Sequence, residues 1–137
     1  MSKMTRKWLT IGTLLGLAGA GTAVYAQSPG NLLDSLQKGL WELRAIGGGP
    51  SRAAQSRICI GDAAKLVQIQ HGSAKCKQRI LSQKADRVTL SYSCPGLGQG
   101  VTTIRKESNR LIHIESQGIR NGSPFNFVVE GRRSASC

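Results

Sequence analysis

Acidic side chains are scarce. Seven Asp+Glu stand against 19 Lys+Arg, a formal charge of +12 over 137 residues. That balance excludes an acidic disordered tail, and the length excludes a multidomain enzyme. Aromatics are equally few, with two each of Trp, Tyr and Phe. Single-stranded nucleic acid is held largely by stacking bases on aromatic side chains, so the positive charge does not read as a nucleic-acid surface. No two of the four cysteines are two to four residues apart, and neither His71 nor His113 completes a finger-like set. The usual zinc spacings are therefore missing. No G-x-S-x-G is present, which removes the elbow-mounted serine nucleophile. There is no internal repeat and no low-complexity run.

What is present at the amino end is a three-part export pattern. Lys3, Arg6 and Lys7 form a basic start, and an apolar stretch runs from Trp8 to about Ala20. Val24-Tyr25-Ala26 then places small or short side chains before Gln27, so cleavage is expected between Ala26 and Gln27. No Arg-Arg pair precedes the apolar stretch and no cysteine closely follows it, so twin-arginine export and a lipid anchor are not indicated. Removing 26 residues leaves 111, with 16 basic and 7 acidic side chains and a net charge of +9. The expected organisation is a signal peptide over 1–26, a tether with a short helix over 27–38, and one stapled domain over 39–137. The expected location is the periplasm, with no membrane span after cleavage.

Cys59, Cys76, Cys94 and Cys137 all follow the export signal. An even count in a small exported domain reads as two disulfides. Three pairings are possible. The expected one is sequential, Cys59–Cys76 and Cys94–Cys137, because the first pair brackets a short helix and the last strand should return beside the strand that ends in Cys94.

The remaining signals are mostly of strand type. Asn31 is a candidate cap for a short helix carrying Leu32, Leu33 and Leu36. Trp41, Leu43 and Ala45 alternate with Glu42 and Arg44, which predicts a half-wet strand. Gly47-Gly48-Gly49-Pro50 breaks it. A second strand is read over Arg52–Ile60, with Ala54, Ser56, Ile58 and Ile60 on one side. Asp62 caps a helix over Ala63–Ile69, and Cys76–Gln83 is a weaker strand. Val88, Leu90, Tyr92 and Cys94 alternate with Arg87, Thr89, Ser91 and Ser93, the clearest strand in the chain. Pro95–Gly100 is read as a glycine-rich loop; no helix follows it, so it is not a phosphate loop. Val101–Lys106 and Leu111–Ser116 form a hairpin, Asn121-Gly122 is a tight turn, and Phe125, Phe127 and Val129 share one face of a last strand. Gly131–Cys137 is a basic tail. The fold class is mainly β: a curled or closed antiparallel sheet of six to seven strands, with one or two short helices and two disulfides.

The ordered set Gly39-Leu40-Trp41-Glu42, Cys59 before Asp62-Ala63-Ala64, Cys76, Tyr92-Ser93-Cys94 and Gly131-Arg132-Arg133 ahead of Cys137 resembles a family of small secreted bacterial proteins, catalogued as domain of unknown function 3617. Leu66–His71, Thr102–Arg105 and Glu115–Ile119 are similar to its sphingomonad-type variants. The resemblance covers about residues 39–137. It implies a periplasmic β-rich fold and carries no established activity.

No catalytic, metal or cofactor set emerges from the residues. His71 falls in an expected loop, and His113, alternating with Ile112 and Ile114, is expected on a wet strand face. The carboxylates are scattered over different elements. Asn121-Gly122-Ser123 matches a glycosylation acceptor by letter but reads better as a turn. The reading that remains is a non-enzymatic module binding a ligand or envelope partner in a cleft lined by Trp41, Tyr92, Phe125 or Phe127, with a basic rim. Anionic envelope components are the natural partners: lipopolysaccharide, lipid headgroups or wall polymers. The alternative is a basic surface-association or stress-protection protein without a pocket, and a small hydrolase ranks third.

Overall fold

A computed structural model of the chain describes residues 31–46 and 55–137. The export signal, the Ala26/Gln27 junction, the Gly47–Pro50 break and residues 52–54 lie outside the described residues. The strands are β1 (Gly39–Ala45), β2 (Gln55–Ile60), β3 (Lys77–Gln83), β4 (Arg87–Cys94), β5 (Gly98–Ser108), β6 (Leu111–Arg120) and β7 (Ser123–Ala135). They form one open antiparallel sheet in the order β2-β1-β7-β6-β5-β4-β3. The mainly β expectation therefore holds, with seven strands, two disulfides and, among the described residues, only 3-10 turns as helical elements. No helix among the described residues is long and apolar enough to cross a membrane.

The strand alternation builds the core. Val88, Leu90, Tyr92 and Cys94 of β4 are all buried, as are Ile104 of β5, Ile112 and Ile114 of β6, and Phe127 and Val129 of β7. Trp41 and Leu43 of β1 join them, while Ala45 at the strand end is exposed. Three short 3-10 turns cover this face: Leu32–Ser35, Ala63–Leu66 and Ile69–His71. The two expected caps are in place. Asn31 Oδ1 accepts from Leu33 N–H at 3.1 Å, and Asp62 Oδ1 from Ala64 N–H at 2.9 Å. Leu32, Leu33 and Leu36 are buried, so this short turn packs into the core. The expected helix over Ala63–Ile69 is instead two tight turns, held by side-chain amides rather than by an α-helical ladder. Gln68 Nε2 donates to the Gly72 and Ala74 carbonyls, and Gln78 Nε2 donates to Ala64 O and Gln68 Oε1.

Three strands run further than their residues suggested, and β6 continues past Ser116 to Arg120. β5 starts at Gly98, so the expected loop shrinks to Pro95–Leu97. Gly100 and Gly118 face each other across β5 and β6. A Cβ at Gly100 would stand 2.6 Å from the Tyr92 hydroxyl, and one at Gly118 would overlap the Gln99 carbonyl. The glycines allow close strand approach here rather than loop freedom. β7 continues through Gly131-Arg132-Arg133-Ser134, where a tail was expected, because β1 pairs along it from Ala45↔Val129 to Leu40↔Ala135. The Asn121-Gly122 turn is as read: both residues have positive φ, 49° and 79°, the signature of a type I′ hairpin.

The sequential disulfide pairing is overturned. The bonds are Cys59–Cys137 and Cys76–Cys94, with Cα separations of 6.0 and 4.2 Å. The reason is strand order. β5 and β6 stand between β4 and β7, so Cys94 and Cys137 end up far apart in the sheet. Cys76 directly precedes β3, whose first pair is Lys77↔Ser93, and this sets Cys76 opposite Cys94. Cys59 pairs with Leu40, which on its other side pairs with Ala135. Cys137, two residues on, reaches across β1 to Cys59. Two disulfides suit an oxidising compartment, extracellular or periplasmic.

Candidate functional site

The sheet face opposite the core carries an open trough of about 970 Å³. Register assembles it. Ser91, Val101, Gln117 and Asn126 form one cross-strand row over β4 to β7, and Ser93, Gln99, Ile119 and Pro124 form the next. Lys77 and Arg79 of edge strand β3 stand opposite Ser93 and Ser91 and complete one side. Amides and hydroxyls that both donate and accept thus alternate with a short apolar strip. The only charged lining groups are cationic, and neither pairs with a carboxylate among the described residues. Elsewhere on this face Glu107 bridges Arg105 and lies 3.7 Å from His113, and Glu42 lies 3.4 Å from Arg57.

The four aromatics expected in a cleft are distributed differently. Trp41 is fully buried, and its indole N–H donates to Gln37 O at 2.9 Å. Phe127 is a core residue stacked on Phe125 at 6.1 Å. Tyr92 and Phe125 border the trough but belong to the core-facing set of their strands.

A second cavity, about 400 Å³, opens on the other side of the sheet, where β2, the Ile69–His71 turn and the end of β6 meet. Its lining includes Ser56, Ile58, His71, Ser73 and Arg120. His71 corrects the expectation of an ordinary surface loop histidine: it is 7 % exposed. Its ring meets Tyr92 and Phe125 edge-on at 5.3 and 6.0 Å, and Nδ1 lies 3.2 Å from the Tyr92 hydroxyl. A polar chain continues inward through Ser116 and Thr102 to the Val67 carbonyl. Burial raises the Tyr92 phenol above the ordinary tyrosine range, and its hydrogen bond with Ser116 offsets part of that rise. His71 Nε2 and Ser56 Oγ are buried without any hydrogen-bond partner among the described residues. Each such orphan costs about 1–3 kcal/mol. Nothing in the sequence pattern distinguished His71 or the trough rows, since both are made by tertiary register from common residues. Among the described residues no group of three or more His, Cys, Asp or Glu converges to hold a metal. No protein-family model, curated protein or solved structure matches the chain.

Proposed function

We propose that this chain is a non-enzymatic binding module of the bacterial periplasm that holds an anionic, hydroxyl-rich envelope ligand along the outer trough. Lipopolysaccharide and wall-polymer saccharides have that chemistry. The observation that carries the reading is the lining: amides and hydroxyls interleaved with Val101, Ile119 and Pro124 in two registered rows, cations along one side, and no carboxylate. The volume lies within the usual ligand-site range of about 300–1,000 Å³. The export pattern ending at Ala26 and the resemblance to the secreted family support the compartment, and the disulfides are compatible with it.

Native mass spectrometry of protein purified from periplasm tests the proposal, alongside titration with lipopolysaccharide and peptidoglycan fragments. A carried or titratable ligand is expected, weakened by Gln117→Ala with Asn126→Ala and by Lys77→Gln with Arg79→Gln. Ligand-free protein that binds neither preparation refutes it. Binding lost with charge alone and indifferent to Gln117 and Asn126 also refutes the trough and leaves only a basic surface.

A further inference from the structure

We infer that the smaller cavity is a separate site for a phosphate-type oxyanion, either inorganic phosphate or the terminal group of a phosphate monoester. Three observations converge there. Arg120, half-buried at the end of β6, makes no ion pair or side-chain hydrogen bond among the described residues, and no carboxylate lines the cavity. His71 is more than nine-tenths buried with Nδ1 engaged by Tyr92, so Nε2 is its one free nitrogen. Ser56 Oγ, from the core-facing side of edge strand β2, is likewise buried and unpartnered. Gly98 lets the strand and the imidazole approach closely: a Cβ there would overlap the Ile119 carbonyl and sit 3.1 Å from Nε2.

An unpaired guanidinium and two silent polar atoms around one cavity call for a ligand that brings negative charge and several acceptor oxygens. A carboxylate offers two oxygens, both of which a guanidinium fork can take. A tetrahedral phosphate leaves further oxygens for the Ser56 hydroxyl and for Nε2–H of a protonated His71, or a P–OH for Nε2 of the neutral ring. The aromatic contacts fix the imidazole before any ligand arrives, so little side-chain freedom is lost on binding. The site shares no lining residue with the outer trough and stands independently of it.

The test is a titration of the full, disulfide-bonded chain with inorganic phosphate and with glucose 1-phosphate at about 0.15 M salt, where loose surface attraction is screened. The readouts are calorimetry and the ¹⁵N shifts of the His71 ring. Saturable binding is expected with at least one ligand, with the Nε2 signal moving. Preference for inorganic phosphate identifies a free-ion site, and equal or tighter binding of the ester identifies a phosphate-headgroup site. Arg120→Gln should weaken binding about tenfold or more, the loss of one strong charge-assisted contact. Ser56→Ala should weaken it several-fold. Both positions are incompletely buried, so both variants should fold. Lys84→Gln, an exposed position that lines neither cavity, should leave the affinity unchanged. The inference is overturned if neither ligand saturates by about 10 mM, weaker than a specific small-ligand site. It is equally overturned if Arg120→Gln binds like the parent, or if Lys84→Gln matters as much as Arg120→Gln.

Discussion

Thr102→Val probes the join between the sheet and its covering turns. Thr102 is fully buried on β5, and its hydroxyl lies 2.6 Å from Val67 O and 2.7 Å from Ser116 Oγ. A carbonyl only accepts, so Thr102 donates its single proton to Val67, and Ser116 must donate to Thr102. Valine keeps the shape and removes both bonds. The Val67 carbonyl is then stranded in a fully buried residue, whereas the Ser116 hydroxyl can turn toward Tyr92. One buried orphan costs about 1–3 kcal/mol, and the lost second bond adds about 1 kcal/mol. The extra buried methyl returns about 0.8 kcal/mol. The expected net loss is about 2 kcal/mol, a large part of a total near 5–15 kcal/mol.

The control is Thr103→Val, one residue along on the opposite sheet face. There the hydroxyl pairs with Thr89 at 2.9 Å in a half-exposed setting, and the loss should stay within about 0.5 kcal/mol. Urea unfolding of the oxidised protein reads both. With m of about 1–3 kcal/mol/M, Thr102→Val should lower the midpoint by roughly 1 M at unchanged slope. Hydrogen exchange should also show faster opening at Gln68–Gly72, the segment that this carbonyl anchors. Equal midpoints for the two variants would refute the claim that the hydroxyl chain fastens the turns to the sheet.

Two further outcomes are expected. Non-reducing peptide maps should join Cys59 to Cys137 and Cys76 to Cys94. Their chain separations of 78 and 18 residues imply that replacing the first pair by alanine costs about 4.5 kcal/mol and the second about 3 kcal/mol; a Cys59–Cys76 peptide or a reversed order of losses would overturn this account. Because the Tyr92 phenol is raised in the fold, the unfolded chain loses that proton first. Stability should therefore be unaffected below the ordinary tyrosine range and decline as pH rises above about 10. Tyr92→Phe should flatten that alkaline decline in melts compared across pH, and an unchanged slope would contradict it.

Legibility followed locality. The β4 alternation, the Asn31 and Asp62 caps and the Asn121-Gly122 turn are decided within a few residues, and each is found as read. One disulfide was also within reach: Cys76 and Cys94 lie nine residues either side of Ala85, the middle of the β3–β4 turn, so hairpin register alone opposes them. The other was not, because it depends on β1 inserting between β2 and β7, a long-range pairing with no local mark. The glycines of β5 and the arginines of β7 misled for opposite reasons. Gly98 and Gly100 carry the residue type of a loop while serving close packing. Arg132 and Arg133 carry the charge of a tail while one edge of β7 is paired by β1.

The placement of the staples bears on both candidate sites. β2 and β3 are the edge strands, each hydrogen-bonded to one neighbour only. An edge strand has half the backbone ties of an inner one and is the first part of a sheet to fray. Here each edge strand contains or directly follows a disulfide cysteine: Cys59 is the penultimate residue of β2, and Cys76 immediately precedes β3. Each also supplies site residues beside that anchor, Ser56 three positions from Cys59, and Lys77 and Arg79 within three of Cys76. The covalent ties thus fall where the backbone ladder is thinnest and where ligand groups must be held in place. Preorganised groups give up less freedom on binding. The inner strands β6, β5 and β4 supply trough residues from positions paired on both sides, while Asn126 and Pro124 of β7 lie beyond its pairing with β1 and are held by β6. The two disulfides bring the edge strands closer to that rigidity.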